Sequence, residues 1–121
     1  MINHIQIFST VNCILWKLLL PIRYYIQNNR IHRGKKFLIE FILLPLLPTG
    51  YFKILINQQY WLQLNYQETI GWTTLISQQL FEQSEINILA KYANTDSYFI
   101  DIGANIGLYS ILFSSIVSQV I

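Results

Sequence analysis

Two neighbouring stretches near the middle of the chain have apolar side chains at every second position. Tyr51–Ile56 and Tyr60–Asn65 each show the two-residue period of a half-buried strand, and the polar run 57–59 separates them. Successive side chains of a strand point to opposite faces of the sheet. The pattern therefore predicts a β-hairpin in which Phe52, Ile54 and Ile56 share one face of the first strand, and Tyr60, Leu62 and Leu64 share one face of the second.

A long apolar stretch, residues 5–26, lies at the start of the chain. Lys17, Pro21 and Arg23 fall in the half that would have to cross a bilayer, where one charge costs about 2.5 to 3.5 kcal/mol. No basic segment precedes the stretch, and it has no cleavage site of the kind that follows a secretory signal. We therefore expect a helix that packs on protein or lies at a membrane surface.

A second apolar stretch covers residues 37–47. Glu40 and Pro45 interrupt it, and it is much shorter than the roughly 20 residues of a membrane span. It predicts a core helix or a docking segment. The basic residues between the two stretches suit either a solvated linker or a peripheral contact with anionic lipid; they are Arg30, Arg33, Lys35 and Lys36.

The last third of the chain alternates between helical and strand-like patterns. Residues 73–80 show only a weak pattern, whereas Glu82–Ala93 predicts a helix with Ser84 near its start. Tyr98–Ile102 is apolar apart from its acid and predicts a strand buried on both faces of a parallel sheet. Leu108–Val117 predicts a further helix, and Val120-Ile121 the beginning of a second strand.

Composition changes this picture in three respects. Charged residues make up 12% and hydrophobic residues 53% of the 121 residues, so many apolar side chains need a partner surface. The formal net charge of +2 is too small for a nucleic-acid footprint. The single cysteine, Cys13, is expected to be a small buried hydrophobe and agrees with a reducing compartment, hence a cytoplasmic location.

Neither histidine is predicted to bind a metal. His4 and His32 lie far apart and have no carboxylate or thiol at a ligand spacing. No Ser-His-Asp arrangement can be assigned from the sequence either. We therefore expect no metal site, and the catalytic residues stay unassigned.

The candidate chemistry lies in the turn after the predicted strand at 98–102. Gly103 and Gly107 bracket this turn; glycine adopts backbone angles closed to other residues and lets a ligand approach the main chain. The following helix would direct its first amides toward a carboxylate or phosphate. Asp101 ends the strand, where open α/β sheets bind ligands, and suits a cationic or hydroxyl-bearing group.

The string from Phe99 to Ser110, Phe-Ile-Asp-Ile-Gly-Ala-Asn-Ile-Gly-Leu-Tyr-Ser, resembles the first motif of class I S-adenosylmethionine-dependent methyltransferases. Its Asp-x-Gly-Ala-Asn-x-Gly form is similar to the FkbM-type family in particular, as is the lead-in from Phe81-Glu82. The resemblance covers residues 81–121. It implies a Rossmann-like sheet and transfer of a methyl group from S-adenosylmethionine to an oxygen of a sugar or small metabolite. It also implies a set of cofactor-binding residues: Asp101, Gly103, Ala104, Asn105 and Gly107.

Other interpretations stay open. A nicotinamide-dependent dehydrogenase uses a Gly-x-Gly-x-x-Gly turn, but Ala104-Asn105 follows Gly103 here. A Gly-x-x-x-Gly packing face of a membrane helix and an incidental turn are the other structural alternatives. A further functional alternative is a non-catalytic remnant of a cofactor fold, or a fragment that associates with a partner or a membrane.

The patterns divide the chain into three parts. Residues 1–50 form an apolar helical segment, 51–80 a hairpin with a linker, and 81–121 the start of the cofactor-binding unit. A ribose-binding acid about 20 residues past the glycine turn would lie beyond Ile121. We therefore expect an N-terminal portion of a methyltransferase, inactive alone and located in the cytoplasm, with a peripheral membrane contact through the first segment as the alternative to a solvated linker.

Overall fold

The first sheet is built from three antiparallel strands in the order β1-β2-β3. The computed structural model describes residues 5–11, 13–28, 30 and 33–121. Strand β1 is Ile5–Phe8, β2 is Tyr51–Ile56 and β3 is Tyr60–Asn65. Ile5 pairs with Ile56 across the first ladder, and Ile54 pairs with Leu62 across the second.

The predicted hairpin is confirmed, and in each strand the side chains predicted to share a face do so. Asn57 and Gln58 adopt φ angles of 50° and 57°, and a turn with two such residues matches the twist of the strands that it joins. Its apolar face forms much of the core, where the strands bury five of the predicted side chains: Phe52, Ile54, Ile56, Leu62 and Leu64.

The prediction of one helix over residues 5–26 is wrong for its first part. Ile5–Phe8 is a strand, and helices follow only at Cys13–Leu18 (α1) and Leu20–Gln27 (α2). The outer edge of β2 has backbone groups that require partners, and β1 supplies them. Its alternating residues place Ile5 and Ile7 toward the core.

The second apolar stretch is helical, as predicted. It comprises α3 (Lys35–Leu38), a π-helical turn (Ile39–Leu43) and α4 (Leu44–Leu46). Proline lacks an N–H and crowds the carbonyl one turn before it. The wide turn before Pro45 accommodates this, because the Leu44 N–H donates to Ile39 O, five residues back. Leu43, in this turn, is fully buried.

Helix α5, Thr69–Ser77, is the element that the sequence pattern did not predict. Its buried residues include Gly71, Thr74 and Ile76. At its C-terminal end Ile76 O accepts hydrogen bonds from Arg23 of α2 at 3.1 Å and Gln27 at 2.7 Å. Side chains of α2 thus satisfy a carbonyl that the helix itself leaves without a partner.

Helix α6, Gln83–Tyr92, is confirmed within one or two residues at each end. Ser84 lies near the helix start, as expected, but no side chain caps the helix. The Ser84 hydroxyl instead donates to the Glu85 carboxylate at 2.6 Å, which lowers the pKa of Glu85. Glu82, the N-cap residue just before the helix, takes a left-handed conformation.

The last three elements form a βαβ unit. Strand β4 (Tyr98–Phe99) pairs in parallel with β5 (Gln119–Val120), and α7 (Leu108–Phe113) connects them. The second strand predicted at the C-terminal end is therefore confirmed. Hydrogen bonds of 2.9 Å from Ile121 N to Phe99 O and from Asp101 N to Ile121 O continue the ladder.

Two expectations for this unit are wrong. Helix α7 ends at Phe113, earlier than predicted. The strand is also buried on one face only: Phe99 stacks on Phe113 with ring centroids 4.5 Å apart, whereas Ile100 and Ile102 are 63% and 93% exposed. The physical reason is that α7 covers one face of the two-stranded sheet and no described element covers the other.

The chain therefore belongs to the mixed α/β class, with one small antiparallel sheet, one parallel strand pair and helices around them. Gly103 and Gly107 lie in a turn and not in a helix. They therefore do not form a Gly-x-x-x-Gly packing face of a membrane helix. Across residues 5–11, 13–28, 30 and 33–121, the helices are too short or too polar to cross a bilayer.

Candidate functional site

The loop between β4 and α7 holds most of the residues singled out in the sequence. Gly103 and Gly107 have φ angles of 77° and 74°, and Asn105 has 51°. These left-handed conformations suit glycine and, to a lesser extent, asparagine. Gly107 N donates to Ala104 O at 2.7 Å and closes the turn. A Cβ at either glycine would meet open space, so the backbone angle is what requires glycine here.

The same conformation leaves a row of hydrogen-bond donors in the loop. Within the part of the chain that the structure describes, the backbone N–H groups of residues 103–106 donate to no protein acceptor. Gly103, Ala104 and Asn105 are exposed to solvent. Unpaired amides that follow a left-handed turn form a concave donor set suited to an anionic group.

Asp101 lies at the base of this loop and is partly buried. Its backbone N–H belongs to the parallel ladder, and its Oδ2 accepts a hydrogen bond from the Ser110 hydroxyl at 2.5 Å. Ser110 is in α7, so the carboxylate is held between the end of the strand and the first turns of the helix. The sequence analysis did not assign Ser110 a role, although it lies within the motif.

A second carboxylate approaches the loop from the start of α6. Glu82 Oε2 accepts a hydrogen bond from the Tyr109 hydroxyl at 2.7 Å. Burial raises the pKa of Tyr109, and the hydrogen bond to Glu82 and the charges of Glu82, Glu85 and Asp101 raise it further. Tyr109 therefore stays a neutral donor throughout the physiological range of pH.

These groups surround one cleft of about 280 Å³. Of the predicted cofactor residues, Asp101, Gly103, Ala104 and Asn105 line it, whereas Gly107 does not. The remaining walls come from the start of α5, the residues before α6 and the first turn of α7. They are Ile70, Phe81, Glu82, Ile102, Ile106, Leu108 and Tyr109.

The cleft therefore has an acidic side and a donor side. Glu82 and Asp101 carry negative charge, and the loop amides present N–H groups. Such a site can hold a ligand that carries both a cation and an anion, as an amino acid does. Glu82 lines the cleft, whereas Glu85 is exposed and lies outside it.

The two histidines of the sequence, His4 and His32, lie outside the described residues. In the part that is described, no three His, Cys, Asp or Glu side chains come close enough together to hold a metal ion.

No protein-family model, characterised protein or solved structure matches this chain. Its site must therefore be interpreted from its own geometry.

Proposed function

We propose that the cleft binds the methionine part of S-adenosylmethionine and that the chain is a portion of an FkbM-type methyltransferase with a Rossmann-like sheet. The observation that carries the proposal is the donor loop beside Asp101, immediately after a parallel strand. Ligands of open α/β sheets lie outside the carboxyl ends of such strands.

The chemistry of the lining residues fits that group. S-Adenosylmethionine has a carboxylate, an ammonium and a sulfonium on its amino-acid part. The amides of residues 103–106 would donate to the carboxylate, and Asp101, with Glu82 across the cleft, would attract the cations. When bound, the cofactor supplies an electrophilic methyl group for transfer to a hydroxyl of a sugar or small metabolite.

The hydroxyl groups of Ser110 and Tyr109 have a positioning role in this proposal. Ser110 fixes one oxygen of Asp101 and leaves the other for the ligand. Tyr109 orients the Glu82 carboxylate. Because each carboxylate is already held in place, less side-chain freedom is lost when a ligand binds.

The size of the cleft limits the expected affinity. Its 280 Å³ lies just below the roughly 300–1,000 Å³ of sites that enclose a whole small ligand. We therefore expect contact with the amino-acid part alone, and a dissociation constant on the order of 1 mM, which corresponds to about −4 kcal/mol.

Binding of S-adenosylmethionine to the cleft can be followed at the backbone amides of the donor loop. Titration of the ¹⁵N-labelled chain with S-adenosylmethionine should shift the amide resonances of residues 103–106. Asp101→Asn should weaken binding about tenfold, because it removes a charge-assisted contact. The control Asp96→Asn removes an exposed acid outside the cleft and should bind like the parent chain.

Two results would contradict the proposal. One is a set of loop resonances that S-adenosylmethionine leaves unchanged at millimolar concentration. The other is a response of the same amides to a nicotinamide dinucleotide and none to S-adenosylmethionine, which would favour the dehydrogenase alternative. Titration with methionine alone tests whether the amino-acid part is sufficient.

A further inference from the structure

Charge is distributed unevenly along the chain. Residues 1–50 contain six of the eight basic residues and one of the six acidic residues, a formal charge of +5, whereas residues 51–121 carry two basic and five acidic residues, a charge of −3. The cofactor cleft is in the acidic part. No residue of the basic part lines that cleft, so the proposed function does not use its charge.

Exposed aromatic rings accompany this positive charge. Phe37 and Phe41 are one helical turn apart, 58% and 65% exposed, and stacked with ring centroids 5.0 Å apart. Tyr24 of α2 is 74% exposed, on the same helix face as Leu20. Exposing adjacent aromatic rings to water costs free energy. Such an apolar patch marks a surface that contacts a membrane or another molecule.

The basic and aromatic groups meet where α2 ends and α3 begins. Tyr25 Oη donates to Arg33 O at 2.5 Å, and Lys35 Nζ donates to Asn28 O at 2.6 Å. These bonds hold the two helix ends together. Tyr24 and Arg30 line one open cleft there. The basic aromatic surface is defined by six exposed residues: Tyr24, Arg30, Arg33, Lys36, Phe37 and Phe41.

One nearby acid reduces the charge only slightly. Lys36 Nζ lies 3.9 Å from Glu40 Oε1, and the two side chains are 86% and 48% exposed. An ion pair this open to solvent is weak. Lys36 therefore remains available to an external anion.

We propose that the basic aromatic surface binds the anionic face of a lipid bilayer. The rings of Phe37 and Phe41 enter the boundary between headgroups and acyl chains, and Arg30, Arg33 and Lys36 pair with lipid phosphates. Aromatic rings and long basic side chains are the two groups that this boundary favours. This inference does not depend on cofactor binding.

Charge decides against the other occupants. A second copy of this chain would bring the same cations face to face in a symmetric dimer, and no acid of the surface besides Glu40 would offset them. A nucleic-acid duplex would pair with the cations and leave the Phe37 and Phe41 rings in water, because its bases are already stacked. Anionic lipid satisfies both kinds of group.

The test is flotation of the full chain with phosphatidylcholine vesicles, with and without phosphatidylglycerol. We expect binding to the anionic vesicles only, and less of it at high salt. The triple variant Arg30→Gln/Arg33→Gln/Lys36→Gln should lower partitioning on the order of 100-fold, because each cation near such a surface contributes roughly a fivefold change. The double variant Lys53→Gln/Lys91→Gln removes exposed cations elsewhere and should bind like the parent chain.

A second variant locates the contact. Phe41→Trp adds a fluorophore to the surface, and its emission relative to that of the parent chain should be quenched by lipids brominated near the headgroups. Phe37→Ser/Phe41→Ser should lower partitioning about tenfold through lost apolar burial. Far-UV circular dichroism verifies that each variant is folded.

Three outcomes would overturn the inference. The first is equal binding to neutral and anionic vesicles. The second is an equal loss in the Lys53→Gln/Lys91→Gln control. The third is salt-sensitive binding to a duplex oligonucleotide with no binding to either vesicle, which would assign the surface to nucleic acid.

Discussion

Gly71 allows α5 to lie against the end of β3 because it has no side chain. A Cβ at this position would overlap the backbone carbonyl of Asn65. The φ angle of Gly71 is not positive, so the requirement is steric. This differs from the loop glycines, where the backbone angle sets the requirement.

Gly71→Ala should therefore lower the free energy of unfolding by about 3 kcal/mol, since backbone must move to relieve the overlap. The control Gly50→Ala is placed at a φ of 98° with open space around it; it should cost about 1 kcal/mol through backbone strain alone. Urea denaturation measures both. Equal losses in the two variants would mean that the packing of α5 on β3 is looser than described.

Tyr109 makes stability depend on pH in the alkaline range. Its pKa is raised in the folded state, first by burial and then by Glu82. The stability that this contributes is complete below the ordinary tyrosine pKa of about 10 and is lost as the pH rises above it, because the unfolded chain then releases the proton first.

Tyr109→Phe should make the urea midpoint fall less steeply above about pH 10 than in the parent chain. The control Tyr92→Phe removes a hydroxyl that is 79% exposed, and its pH profile should match that of the parent. A Tyr109→Phe profile that coincides with the parent profile would show that in solution Tyr109 is neither buried as described nor bound to Glu82.

At the scale of whole elements, the buried Tyr66 anchors the chain that follows strand β1. Tyr66 comes directly after β3. Its hydroxyl accepts a hydrogen bond from Thr10 N at 3.0 Å and lies 2.8 Å from Ser9 Oγ. These contacts hold the segment between β1 and α1 against the sheet. Without them, β1 would be held mainly by its ladder to β2.

Tyr66→Phe should cost about 1 to 2 kcal/mol, because it leaves the Thr10 N–H without a buried partner. Hydrogen exchange should accelerate most at the amides of β1. Tyr60→Phe, a half-buried tyrosine of β3, is the matched control and should leave exchange in β1 unchanged. Uniform acceleration across all three strands would contradict this local role.

The whole molecule contains two sheets that share no strand pairing in its described part. Phe113 is fully buried and stacks with Phe99 of β4 and with Tyr109. It is the centre of the βαβ unit. Ile54 is equally buried and belongs to the core of the antiparallel sheet.

Phe113→Ala should therefore destabilise the βαβ unit first, with a loss of about 3 to 5 kcal/mol. Amide protection should fall at Phe99 and Val120 before it falls in β2 and β3. Ile54→Ala should show the opposite order. If both variants lose protection everywhere at once, the two sheets unfold as a single cooperative unit.

The sequence by itself determined the features that depend on neighbouring residues. The alternation over 51–65 specified the hairpin and the side chains that share a face in each strand, because successive side chains of a strand point to opposite faces of the sheet. The glycines at 103 and 107 and the acid at 101 marked the turn after β4, because few other residues adopt its backbone angles.

Only the tertiary structure decided the features that depend on distant partners. β1 is a strand because β2 offers it an open edge, and α5 is a helix because it packs on β3 through Gly71. The site required the fold in the same way: Glu82 and Tyr109 are 27 positions apart and meet because α6 begins beside α7. Burial and pairing over such separations are set by the whole chain, and no local pattern records them.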